Sequence, residues 1–174
     1  MDDVVSIASP LGRIELRPER DDDQPFRFQL FCKSRPPEWD MVQLDPQFRE
    51  QLMRHQFEAQ TTSYRAQFPK ARFDIIELDG EPIGRFVVDR PAGMLMLVDQ
   101  AIVPRLRSKG LGTTIMRVLM DEAQARRIPI RLMVGSSNDP SLRLYLRLGF
   151  VPIETVPLYI ELEWKAPDGA APAA

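Results

Sequence analysis

The sequence predicts a mixed α/β fold, with a central sheet of about six to seven strands flanked by helices. Two observations carry this prediction. Residues 72–90 read as strand, Asp79-Gly80 turn and strand, which is an antiparallel hairpin. Residues 93–137 read as strand, amphipathic helix and strand, which demands a parallel pair joined by a right-handed crossover.

The elements follow in order. Residues 1–10 read as loose. In "GRIELRP" (12–18), Ile14 and Leu16 alternate with charged residues, a half-buried strand ended by Pro18. "DDDQPFRFQLFCKS" (21–34) offers capping acids and then Phe26, Leu30 and Phe31, a short helix. The prolines of "RPPEWDMVQ" (35–43) make a loop. Residues 44–69 form a long helix, with Asp45 as N-cap, Pro46 in the first turn and Pro69 as the stop. Its apolar residues are Phe48, Leu52, Met53, Phe57, Tyr64 and Phe68, at mostly helical spacing. After the hairpin, "GMLMLVDQAIVP" (93–104) is apolar enough to be a central strand. In 113–127, Ile115, Met116, Leu119, Met120 and Ala123 share one helical face, and 128–137 is the next strand. Residues 139–150 form a helix with Asp139 as cap, Pro140 at its start and Gly149 at its end. "YIELEW" (159–164) is the last strand, and 166–174 read as a disordered tail. Residues 11–165 are expected to form a single domain.

Composition narrows the function. The 174 residues are 44% hydrophobic and 28% charged, with a net charge of −2, so a general nucleic-acid binder is disfavoured. Cys32 is the only cysteine and His55 the only histidine, which excludes an intrachain disulfide and His- or Cys-rich metal sites. The N-terminus has no signal-peptide run, and no apolar window reaches the roughly 18 residues of a membrane span. A cytoplasmic protein is expected, without nucleic-acid or membrane partners.

Residues 105–114, "RLRSKGLGTT", carry the chemistry. A strand runs into a glycine turn and then a helix, whose first amides and dipole attract anions. A P-loop is excluded because Thr113 and Thr114 follow Gly112 where Lys-Ser/Thr is needed. A dinucleotide fingerprint is excluded because Ile115 stands where a third glycine or alanine belongs. Arg107-x-x-Gly110-x-Gly112 instead resembles the acetyl-CoA signature of the GNAT N-acetyltransferase superfamily. That family's later motif also has a counterpart in "NDPSLRLYLRLGF", as Asn138, Tyr145, Gly149 and Phe150. The similarity is clearest over about residues 72–164.

The resemblance implies an acyltransferase with acetyl-CoA as donor. Backbone of Ala101, Ile102 and Val103 would pair with the pantetheine arm. Arg107, Ser108, Lys109, Gly110, Leu111, Gly112 and Thr113 would cradle the pyrophosphate, and Asn138 would contact the arm or fix the strand end. Tyr145 would be the acid. A thiol has a pKa near ~8.5 and a phenol near ~10, so Tyr145 either protonates the departing thiolate late or orients the sulfur. A glutamate base, frequent in relatives, has no counterpart among Met96, Val98, Gln100 and Ile102, which share one strand face. Asp99 is the nearest carboxylate, and alternation turns it the other way. Trp39, Gln60, Tyr64 and Gln100 are candidate acceptor-lining residues, with Arg35, Glu38 and Gln56 near them. The expected acceptor is a small-molecule or peptide amine, and no metal is expected. Whether the chain forms a homodimer stays open. The rival reading is a non-catalytic acyl-CoA sensor with the same fold.

Overall fold

The computed structural model describes residues 4–35 and 43–167. Trp39 and Glu38, with the rest of 36–42, lie outside the described residues, as do 168–174 of the expected tail. The chain divides into two compact units, Met1–Val87 with Gln100–Arg107, and Val88–Asp99 with Ser108–Ala174.

The first unit opens with the hairpin β1 (Val5–Ser9) and β2 (Gly12–Pro18), paired from Val5↔Leu16 to Ser9↔Gly12. The expectation that 1–10 is loose is therefore corrected for β1. Half-buried Val5 and Ile7 alternate with exposed Ser6 and Ala8, a pattern too short to stand without its partner strand. The Ser9 hydroxyl closes the turn by donating to the Gly12 carbonyl at 2.7 Å. A 3-10 turn, Asp21–Asp23, leads into α1 (Gln24–Lys33). Helix α2 (Pro46–Gln67) starts as its sequence requires, the Asp45 carboxylate accepting the Gln47 and Phe48 amides at 3.0 and 3.2 Å. Phe57 of α2 packs against Phe28 and Phe31 of α1, with ring centroids 5.5 and 5.6 Å apart. The apolar stripe is shorter than expected, because Phe48 in the first turn is 54% exposed.

Strands β3 (Arg72–Leu78) and β4 (Glu81–Asp89) flank the Asp79-Gly80 turn. Both turn residues take positive φ, 50° and 84°, as a two-residue hairpin loop demands. The unit is completed by the end of β5 (Leu95–Ile102) and a 3-10 turn, Pro104–Leu106. Its interior holds a charge cluster. Glu19, with its side chain 2% exposed, meets Arg27 at 3.0 Å, Arg65 at 2.6 Å and Arg85 at 3.3 Å.

The second unit contains the start of β5, α3 (Leu111–Arg126), β6 (Ile130–Gly135), α4 (Asp139–Arg147), β7 (Val151–Val156) and β8 (Tyr159–Trp164). Strands β5 and β6 are parallel, as the crossover demanded. Ile115, Met116, Leu119 and Ala123 bury one face of α3. Strand β8 pairs antiparallel with β6 and β7. The order β1-β2-β3-β4-β5-β6-β8-β7 makes an eight-stranded mixed sheet, against the six to seven strands expected. Beyond β1, the sequence pattern missed β7. It is an edge strand that carries Pro152, has a register shift at Pro152/Glu154 and is exposed along nearly its whole length, so burial leaves no alternation to read. The cap of α4 is also corrected. The N-cap is Asn138, whose side chain accepts the Ser141 amide at 3.4 Å, and Asp139 is the first helical residue.

Candidate functional site

The loop after β5 is built from local backbone bonds. In the first unit, the Val103 amide donates to Ile83 of β4 at 2.8 Å, Leu106 to Val103 at 3.0 Å and Arg107 to Pro104 at 3.2 Å. In the second unit, Ser108 and Gly110 both adopt positive φ, 59° and 84°. For a serine that conformation is strained, and such strain concentrates at functional backbone. Alternation of this kind turns successive N–H groups into one concavity, a nest for anions. Gly110 is the N-cap of α3, and the Thr114 amide makes the first helical bond, to Gly110 at 3.0 Å. Leu111, Gly112 and Thr113 thus form the first turn of α3, at the positive end of its macrodipole.

Farther along the second unit, β5 pairs with β6 from Leu95↔Ile130 to Leu97↔Leu132, while β6 pairs with β8 as far as Gly135. Asn138 stands just past β6 and caps α4. Tyr145 of α4 is buried, 7% exposed, with its ring 5.6 Å from that of Phe150. Burial, and then the charge of Asp99, push its phenol well above the ordinary range, so it stays neutral.

Residues 28–150 match the model of the Acetyltransferase (GNAT) family. The chain belongs to that family. Solved structures share the fold at low identity. The PaiA N-acetyltransferase from Thermoplasma acidophilum, in complex with coenzyme A, is 19% identical over 88% of this chain and 99% of its own, with a TM-score of 0.66. Mycobacterium smegmatis RimJ, in complex with CoA-disulfide, is 18% identical over 94% and 87%, with a TM-score of 0.65. The ribosomal-protein-S18-alanine N-acetyltransferase from Escherichia coli is 16% identical over 91% and 99%, with a TM-score of 0.61. No curated protein matches the chain.

In this GNAT chain the residues singled out from sequence fall as follows. Ser108 to Thr113, Asn138 and Tyr145 all belong to the second unit. Arg107 belongs to the first, and its side chain turns to the strand end: Nε donates to the Ile102 carbonyl at 2.8 Å, and Nη2 to the Lys33 carbonyl and Ser34 Oγ at 3.3 Å each. Ala101 lies so close to β4 that only glycine fits at position 84. Gln100 on β5 and Gln60 and Tyr64 on α2 are half-buried. Gln56 accepts from Arg35, whose guanidinium stacks 4.4 Å from the Phe31 centroid.

Sequence reasoning missed the relation between Asp99 and Tyr145. By register Asp99 follows Leu95 and Leu97 on the face that carries Ile130, Leu132, Leu162 and Trp164. Gly149, just past α4, has Trp164 3.7 Å from where a Cβ would stand, so α4 ends over that same face. The alternation is as expected, but it turns Asp99 toward the tyrosine's side of the sheet. The signal was present in the shared face, and the position of α4 was needed to read it. Cys32 borders a cleft of about 310 Å³ with Phe28, Leu44 and Met53, and burial pushes its thiol up, so it is not an activated thiolate. Among the described residues no His, Cys, Asp and Glu group could hold a metal, and no helix is long and apolar enough to cross a membrane.

Proposed function

We propose that the chain is an N-acetyltransferase that moves an acetyl group from acetyl-CoA to a primary amine by direct attack. The observation that carries this reading is the pair of positive φ values at Ser108 and Gly110 leading directly into the first turn of α3, in a chain of the GNAT family. Two structurally similar proteins hold coenzyme A or its disulfide, which supports the same donor here.

The amides of 108–113 would take the pyrophosphate, with Lys109 adding charge. The pantetheine arm would lie along β5. Because the Val103 amide is spent on β4, alternation directs the backbone groups of Ile102 to the opposite edge, where the arm can pair. The amine nitrogen attacks the thioester carbon, the C–N bond forms, and collapse of the tetrahedral adduct breaks the C–S bond. The adduct's nitrogen loses its extra proton, and the departing thiolate takes that proton up by way of water, so amide and free thiol are left. Tyr145, with its pKa raised, hydrogen-bonds and orients the sulfur more readily than it gives up its proton, because each unit of mismatch costs about 1.4 kcal/mol. An amine of pKa ~10.4 is neutral only about once in 10³ at pH 7, so its first proton leaves to water before attack.

The missing acid at positions 96, 98, 100 and 102 favours one second reading, a sensor that binds acyl-CoA without turnover. Acetyl-CoA at a hundred times its Kd should stabilise the protein by about 2.7 kcal/mol, raising Tm by about 5 to 11 °C. Gly112→Asp should remove that rise by setting a carboxylate against the pyrophosphate. No rise at millimolar acetyl-CoA overturns both readings. A screen of amines, polyamines, amino acids and peptide N-termini for CoA release then separates enzyme from sensor.

A further inference from the structure

Arg107 is the first residue of the donor-loop motif, yet its guanidinium is committed elsewhere. Its Nε holds the Ile102 carbonyl at the end of β5, and Nη2 reaches Lys33 and Ser34, more than seventy positions earlier in the chain. Lys33 is the last residue of α1, so its carbonyl is one that the helix cannot satisfy by itself. A guanidinium there supplies the missing donor and sits at the negative end of the helix dipole. Arginine suits the task because its planar fork donates in several fixed directions, which lysine cannot do. Lys109 makes none of these bonds and stands exposed beside the nest.

We propose that Arg107 is a positioning residue, a C-cap supplied from outside α1 that ties the end of this helix to the donor loop, and not a phosphate ligand. It follows that a donor seated on the loop steadies the end of α1, where the chain leaves toward α2. The coupling rests on the donor reading given above. The bond between Arg107 and α1 exists without any ligand and stands independently of it. The Ile102 carbonyl has two lone pairs, so it can hold Arg107 and still face the pantetheine arm.

Amide exchange and coenzyme A binding test this on the full chain, as wild type, Arg107→Ala, Arg107→Lys and Lys109→Ala. The Ser34 amide, which donates to Phe31 at 3.2 Å, reports the last turn of α1. Arg107→Ala should speed its exchange about tenfold and leave the Kd for coenzyme A within about threefold. Arg107→Lys should fall between, and serves if the alanine variant does not fold. Lys109→Ala should weaken coenzyme A and flatten the salt dependence of its binding. Coenzyme A should protect Ser34 in the wild type and not in Arg107→Ala. The proposal is overturned if Arg107→Ala loses tenfold or more in coenzyme A affinity while Ser34 exchange is unchanged. It is also overturned if bound coenzyme A protects Ser34 equally with and without the arginine. If the wild type does not bind coenzyme A at millimolar concentration, the donor reading fails, and ligand-free exchange of Ser34 alone decides the strap.

Discussion

Gly84→Ala places one methyl group where β4 meets the donor strand. Gly84 has no left-handed φ, so alanine suits its backbone and only space opposes the change. The new Cβ would stand 2.3 Å from the Ala101 carbonyl oxygen and 2.9 Å from Ile76 Cδ1. Ile76 can rotate its terminal carbon away, but the carbonyl belongs to backbone. Ordinary contact begins at 3.4 Å, so the two strands must part by about 1.1 Å, the difference between that distance and 2.3 Å. Overpacking of this kind costs about 1 to 3 kcal/mol. For a chain of this size that lowers Tm by about 2 to 12 °C. Ala101 neighbours Ile102, so the proposed seat of the pantetheine arm shifts with it, and a misplacement near 1 Å is worth roughly a hundredfold in turnover. Thermal melting and coenzyme A titration measure the two consequences. Adding Ile76→Val should not rescue either, because it leaves the carbonyl in place. If Gly84→Ala matches the wild type in both Tm and coenzyme A affinity, the close approach of β4 to Ala101 is not what shapes this strand.

Three further outcomes are expected. Glu19→Gln removes the carboxylate facing Arg27, Arg65 and Arg85, of which Arg27 and Arg85 are buried, and should destabilise by about 3 to 5 kcal/mol in chemical denaturation. A loss below about 1 kcal/mol would show that the arginines are held by other groups. Tyr145→Phe keeps the ring that packs on Phe150, so coenzyme A binding should persist while turnover of any amine found in the screen falls about ten- to a hundredfold; unchanged turnover removes the hydroxyl from the chemistry. Asp99→Asn deletes a negative charge that raises the Tyr145 pKa, so the phenol should titrate at lower pH, though still above its ordinary value because burial remains. Ultraviolet difference titration against Tyr145→Phe reads the shift, and a shift to higher pH contradicts the sign argued here.

The features legible in the sequence were those whose causes lie within a few residues. Asp79-Gly80 specified its hairpin because only such residues accept two successive positive φ values, and both take them. Asp45-Pro46 specified the start of α2 through a cap two and three residues away. The 107–112 motif and the 138–150 motif identified the family, because each is a short run of residues at fixed spacing. Strands β1 and β7 were not legible, since short edge strands show their pairing and not their burial. The contacts of Arg107 and the facing of Asp99 were not legible either. One guanidinium could face phosphate or helix end, and one carboxylate could face either side of a sheet, with no local rule to choose. Arg107 is settled by the end of α1, 74 residues away, and Asp99 by the face that α4 covers. Turns, caps and glycine spacing are determined by short-range sterics and hydrogen bonds, which the sequence states directly. The partner of a long or charged side chain is determined by which distant elements the fold brings beside it, and only the tertiary structure decides that.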